Sequence, residues 1–229
     1  KIALVGETGI SQTSYGAIWW TLEQRYGLRF TPISSDALSG NLSAFNVIII
    51  PSGNVARLGK GEALKSWVQG GGVLLTFGGA TGWVTREDVG MTSVRRIQRE
   101  EKKDYKAAPA TQAPLDSLRA AASPNSCADA VADLPGSHFD VVFDLKHWLT
   151  LGLAQQRSVV LMGGSSFYTL SKDGGNVAVF PTTGTLLRGG FVFPDNSERL
   201  LKGSTFITQE RIGAGNLVMF ANEPMFRAW

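Results

Sequence analysis

The ten residues Val73-Leu74-Leu75-Thr76-Phe77-Gly78-Gly79-Ala80-Thr81-Gly82 decide how this chain is read. The first five, preceded by the glycines Gly70 to Gly72, have the composition of a buried strand. They run straight into Gly78-Gly79-Ala80-Thr81-Gly82, a Gly-x-X-x-Gly turn. A strand entering such a turn is the layout of a nucleophile elbow. Its glycines allow a sharp bend, and the central side chain stands above the sheet. In an enzyme that centre is Ser or Cys. Here it is Ala80, and a methyl group cannot attack a carbonyl. The segment therefore reads as a catalytic architecture without its nucleophile.

The same grammar repeats toward the N-terminus. Lys1 to Val5 reads as a strand, followed by the loop Gly6-Glu7-Thr8-Gly9. Residues 12–26 read as a helix with Tyr15, Trp19, Leu22 and Tyr26 on one face. That spacing places Trp19 in the core and leaves Trp20 open between core packing and stacking on a sugar or base. Leu28 to Ile33 is a second strand, and Val47 to Ile50 a third, closed by Pro51-Ser52-Gly53-Asn54. A short helix over 61–69 uses Leu64, Trp67 and Val68 and stops at glycines. Short, continuously apolar strands separated by helices predict an α/β three-layer sandwich of flavodoxin-like type with a mostly parallel central sheet. In such sheets ligands bind outside the carboxyl ends of the strands. Those ends carry Glu7, Gly53, Asn54, the 78–83 turn and Asn222-Glu223. Backbone amides around Gly53 and Thr81 either cradle an anion or carbonyl, or simply close tight turns.

The alternation breaks after Trp83. Residues 86–136 are polar, rich in Ala, Ser and Pro, and read as an insertion. A solvated helix or mobile segment is expected there, with a basic docking arm as the alternative because Arg95 to Lys106 is densely charged. Strand signals resume at Phe139 to Phe143, Ser158 to Met162, Val177 to Phe180, Thr205 to Arg211 and Asn216 to Phe220, with a short helix over Asn196 to Lys202. Glycine pairs at 163–164, 174–175 and 189–190 punctuate them.

Composition narrows the functions. A 43% hydrophobic content supports a sizeable core, and a net charge of +3 gives no case for nucleic acid. The single cysteine, Cys127, lies in the insertion and rules out an internal disulfide. No apolar run is long enough to span a membrane. The only histidines are His138 and His147, without a His-x-x-Glu, so no metal site is expected in this chain. Gly53 to Lys60 fails the phosphate-loop spacing, and Gly163-Gly164-Ser165-Ser166-Phe167 lacks the closing glycine of a serine elbow. The chain opens on a core strand without an initiator Met and is expected to be a piece of a longer protein.

At the elbow and the C-terminus the chain resembles the class I glutamine amidotransferase-like fold. That family carries Cys at its elbow, and a Phe-His-x-Glu segment after a late strand. Phe220-Ala221-Asn222-Glu223 stands at that segment, so Ala80 replaces the Cys, Ala221 replaces the His, and Glu223 persists. Pro51-Ser52-Gly53-Asn54 resembles the loop that supplies an oxyanion amide. A narrower resemblance rests on the Gly-Gly-Ala elbow, the His147-x-Leu149-x-x-Gly152 segment, and the ending Gly215 to Arg227 with its Phe226-Arg227-Ala228-Trp229 close. These are similar to the amidotransferase-like domains at the C-terminal end of bacterial zinc carboxypeptidases, relatives of carboxypeptidase A. The resemblance implies a secreted or periplasmic parent with its zinc domain upstream of Lys1. It implies no catalytic residue and no cofactor in this chain. The implied partners are the upstream peptidase domain and a peptide or cell-wall-type ligand. The implied vestigial pocket comprises Glu7, Gly53, Asn54, Gly79, Ala80, Thr81, Ala221 and Glu223. A free-standing binding or assembly module, or a cryptic hydrolase using Thr81 or Ser52, are the other readings.

Overall fold

The computed structural model describes residues 1–7, 9–97, 133–164, 166–192 and 197–226. Four strands alternate with helices in the first part: β1 (Ile2–Gly6), α1 (Gln12–Trp19), β2 (Thr31–Ser34), β3 (Val47–Ile50), α2 (Glu62–Gln69), β4 (Val73–Phe77) and α3 (Gly79–Val84). The later part is strand-rich: β5 (Leu134–Phe143), β6 (Arg157–Gly164), β7 (Gly175–Val179), β8 (Leu187–Gly189), the short α4 (Arg199–Leu201), β9 (Thr205–Ile212) and β10 (Gly215–Phe220). They form one sheet of order β2-β1-β3-β4-β10-β9-β7-β5-β6, with β8 beside β5.

The sheet is mixed, which corrects the expectation of a mostly parallel one. β2, β1, β3, β4 and β10 run parallel, whereas β10–β9, β9–β7, β7–β5 and β5–β6 pair antiparallel. For β9–β10 the cause is the connection: a parallel crossover needs a dozen or more residues, and only Gly213 and Ala214 join these two strands.

In the parallel half, register sets the two faces. Ala3, Ile48, Leu74 and Leu217 lie side by side across β1, β3, β4 and β10. They pack in one cluster with Leu64 and Val68 of α2 and Ala80 and Val84 of α3. The next residues along, Leu4 and Ile49, face the other way with Phe77, against Ile18 of α1. Alternation across a strand thus lets continuous apolar runs feed helices on both sides. α2 begins at Gly61 (φ 62) and buries Leu64 and Val68 one turn apart, as its spacing predicts.

α1 departs from expectation. It buries Ser14 and Ile18 and passes at Trp20 into a π-helical stretch, Trp20–Arg25. Trp19 and Trp20 are 38% and 42% exposed, so neither is core, and Tyr26 is solvent-facing. A wider turn rotates the following side chains off the 3.6-residue stripe.

Both ends of the polar stretch 86–136 are built into the fold. Val89, Met91, Thr92 and Val94 are buried. Ile97 N–H donates to the Phe167 carbonyl at 2.8 Å, Thr169 N–H to the Arg95 carbonyl at 2.9 Å, and Arg96 bridges Tyr168. At its far end, Leu134 to Gly136 already belong to β5. Residues 98–132, including Cys127 and most of the charged stretch, lie outside the described residues. No described helix is long and apolar enough to cross a membrane.

Candidate functional site

The sharp bend after β4 falls at Gly78, with φ 49 and ψ −109, and α3 starts at the next residue. The apex is therefore Gly78, two residues before Ala80. Such a backbone suits glycine, which has no Cβ to clash. Ala80 is fully buried inside α3's packing face and does not line an opening. Gly78 N–H donates to the Phe220 carbonyl at 3.0 Å, which ties the bend to the end of β10.

Above the apex the space is filled. A Cβ built on Gly78 would lie 2.5 Å from Ser52 Oγ, and one on Gly79 would fall on the Gly53 carbonyl oxygen. Ser52 Oγ accepts the Gly79 N–H at 3.1 Å. In an elbow the amide following the nucleophile is an oxyanion donor. Here a neighbouring hydroxyl takes it. The loop after β3 is in turn bound to the loop after β1. Ile10 bridges Gly53, Asn54 N–H donates to the Gly9 carbonyl at 2.7 Å, and Ser11 N–H to the Ser52 carbonyl at 2.8 Å. Asn54 itself is exposed, and its side chain accepts the Ala56 N–H at 3.2 Å.

Thr81 is a structural tie. Its hydroxyl is buried within reach of the Thr76 and Phe220 carbonyls, at 3.0 and 2.8 Å, and of the Thr76 hydroxyl at 3.0 Å. Ala221 is likewise buried, with its N–H on the Phe206 carbonyl at 2.8 Å.

Glu223 is a buried carboxylate at the same end of the sheet. Ser14 Oγ donates to its Oε2 at 2.6 Å and Met225 N–H to its Oε1 at 3.2 Å. Ser14 Oγ in turn accepts the Ser52 N–H at 3.0 Å. Burial pushes the Glu223 carboxyl above the usual range, and the Ser14 and Met225 hydrogen bonds pull partly back. Ser14 was not foreseen, because a lone serine on a helix carries no signal in sequence. The network joins α1, the β3 loop and the segment after β10, and it reaches the bend through Ser52, whose Oγ holds the Gly79 amide.

Of the foreseen pocket residues, the fold brings together Gly53, Gly79, Thr81 and Ala221 around the bend, with Glu223 linked through Ser14. Glu7 stands apart, on a cleft at the ends of β1 and β2. His147 caps the turn Trp148–Thr150, accepting the Leu149 N–H at Nδ1 and facing Gln209 Oε1 at 3.2 Å. Trp83 donates to the Gly59 carbonyl at 2.9 Å and packs against Gly61, so Ser52 is what fills the bend. Among the described residues no three His, Cys, Asp or Glu side chains converge as a metal site would require.

No family model matches the chain, and no curated protein is similar to it in sequence. Solved structures are similar in fold. A cytoplasmic protein of Salmonella typhimurium matches with a TM-score of 0.53 at 11% identity, over 97% of this chain and 87% of that one. A glutamine amidotransferase of Thermotoga maritima matches with a TM-score of 0.52 at 9% identity, over 96% and 74%. An exo-β-1,4-mannosidase of an Opitutaceae bacterium matches with a TM-score of 0.51 at 11% identity, over 97% of this chain. This chain spans only 31% of that mannosidase. At these identities the likeness is one of fold, and the fold is amidotransferase-like.

Proposed function

We propose that this chain is a non-catalytic amidotransferase-like domain that serves as an accessory module of a larger secreted enzyme. The observation that carries the reading is the elbow apex. Gly78 has no side chain, Ser52 Oγ occupies the space above it, and the adjacent Gly79 amide is already bonded. Acyl transfer needs a nucleophile with a base in reach and a free oxyanion donor. The bend offers none of these. Ala221 stands where the related fold has its base, and Glu223 is engaged by Ser14 and Met225. Thr81 is no substitute, since its hydroxyl is buried against backbone carbonyls. Ser52 is held as an acceptor over an amide, with no histidine placed to activate it.

The elbow, the His147 segment and the Phe226 to Trp229 close support assigning the parent to the zinc carboxypeptidases. On that reading the zinc and all peptidase chemistry belong to a domain upstream of Lys1, and the three-layer amidotransferase-like unit supports it. The match to one part of a longer mannosidase supports the module reading in general.

The test is ammonia release from glutamine by the purified chain. The expected rate equals that of a heat-killed control. Hydrolysis that survives replacement of Cys127 would overturn the non-catalytic reading. The parentage is tested separately on the coding sequence upstream of Lys1. A signal peptide followed by His-x-x-Glu and a distant His supports it, and a start codon immediately before Lys1 refutes it.

A further inference from the structure

An open cleft of about 800 Å³ lies above the carboxyl ends of β1 and β2, beside the start of α1. Its size falls within the range of small-ligand sites. Glu7, Gln12, Tyr15 and Ser34 are among its lining side chains, with Gly6 and Ile33 between them. The Tyr15 ring packs against Gly6, where a Cβ would come within 3.2 Å of it. That glycine lets the ring lie close to β1.

Glu7 is the one non-glycine residue with positive φ among the described residues, at φ 75. A long acidic side chain is an uncommon choice there, since Gly, Asn or Asp adopts the conformation more readily. A carboxylate held in a conformation that glycine would take without strain points to a side chain kept for its chemistry.

The lining then selects the ligand class. No Lys, Arg or His lines the cleft among the described residues, so an anion would meet the Glu7 charge uncompensated. Glu7 offers acceptors only, whereas Gln12, Tyr15 and Ser34 each offer donors and acceptors. An ammonium ligand would leave those donors idle. A polyhydroxylated ligand uses both kinds, and the Tyr15 ring supplies an apolar surface for its C–H face. We propose that this cleft is a binding site for a neutral saccharide unit, with Glu7 and Gln12 hydrogen-bonding its hydroxyls and Tyr15 stacking on its ring. The proposal stands independently of the reading of the elbow.

The experiment is saturation-transfer NMR and calorimetry on the full 229-residue chain. The probes are glucose, galactose, mannose, N-acetylglucosamine and their β-1,4-linked disaccharides, alongside spermidine and inorganic phosphate. At least one sugar is expected to bind. Glu7→Gly and Gln12→Ala are each expected to weaken it about ten-fold or more, the loss of a hydrogen bond involving a charged or desolvated partner. Glu7→Gly should unfold no earlier than the parent chain, whereas a purely structural Glu7 would lower stability and leave binding unchanged. The proposal is overturned if no sugar binds, if sugar binding is insensitive to both substitutions, or if spermidine or phosphate binds through these residues instead. Ammonia release measured on the same samples would break the non-catalytic reading and leave the saccharide result standing.

Discussion

The carboxyl edge of the parallel strands ends in two different ways. At β3, β4 and β10 it is sealed backbone against backbone: Gly79 touches Gly53, Gly53 touches Gly9, and Ser52 bonds the Gly79 amide. At β1 and β2 it stays open, and Glu7, Gln12, Tyr15 and Ser34 are among the residues that line the space. The two ends share one fold and opposite packing. Glycines let neighbouring loops close to contact distance. One residue of strained backbone, Glu7, projects a carboxylate where a turn glycine would leave nothing. The bend after β4 is thus packed by the chain itself, and the open cleft lies at the ends of β1 and β2.

The seal can be broken most severely at Gly79. Gly79→Ala puts a methyl on the Gly53 carbonyl, and neither backbone can yield cheaply. A loss of about 3 kcal/mol is expected from overpacking in urea unfolding. Gly78→Cys should cost a similar amount, about 3 kcal/mol, from strain plus the collision with Ser52 Oγ. The two differ in rescue. Adding Ser52→Gly should restore about 1 kcal/mol to the Gly78→Cys chain by removing the collision, and nothing to Gly79→Ala. If Ser52→Gly rescues both, the seam between the two loops is side-chain packing and not backbone contact.

How much of this was legible in sequence follows from the same residues. β3, α2 and β4 were readable because apolar runs, an i, i+4 pair and glycine stops agree there. The antiparallel half was readable as strands, but its direction was not, because the order of these strands in the sheet departs from their order in the chain and no local pattern announces which of them pair. The sharp bend after β4 was expected, two residues later than it falls. The Gly-x-X-x-Gly spacing centres on Ala80, while the positive φ that defines the apex belongs to Gly78 and leaves no mark in a run of glycines. Trp19 was misplaced because α1 buries Ser14 and Ile18, one position off the Tyr15–Trp19 stripe, and beyond it the chain widens into a π-helical stretch at Trp20, where the 3.6-residue period no longer holds. The Ser14–Glu223 bond joins residues 209 positions apart, and no local pattern announces it.

A smaller effect is expected where the seal is held by side chains. Thr81→Val keeps the volume and removes the hydroxyl shared with the Thr76 and Phe220 carbonyls. Its loss should cost about 1 to 2 kcal/mol, since buried acceptors lose a donor that no water replaces. An unchanged unfolding midpoint would show that the main-chain bond from Gly78 to Phe220 alone fastens the bend to β10.

Glu223 sharpens the comparison through pH. Its carboxyl is raised chiefly by burial, so the folded chain holds that proton more tightly than the unfolded one. The stabilisation from protonation is fully present below the unfolded carboxyl range. It is lost as pH rises through the raised folded value. Glu223→Gln removes the titration and keeps an oxygen for the Ser14 hydroxyl. Relative to the parent chain, the variant should therefore gain stability between pH 5 and pH 7, conditions chosen to follow the upward shift. Urea midpoints at both conditions measure the difference. A gap that does not change with pH would mean that Ser14 and Met225 already compensate the burial.

The open end should answer in the opposite sense, and least. Replacing Glu7 by glycine relieves a positive φ that costs an L-residue on the order of 1 kcal/mol, while the more flexible unfolded chain takes part of that back. A net gain of some tenths of a kcal/mol, about 0.5 at most, is expected in thermal or urea unfolding. Its sign matters more than its size. Every substitution that opens the seal at Gly78, Gly79 or Thr81 should lower stability, because those residues hold the fold. A gain at Glu7 would mark a residue that the fold tolerates at a cost, as expected for a side chain serving a ligand. A loss at Glu7 would place it with the sealing residues, and the two ends of the sheet would then differ in shape alone.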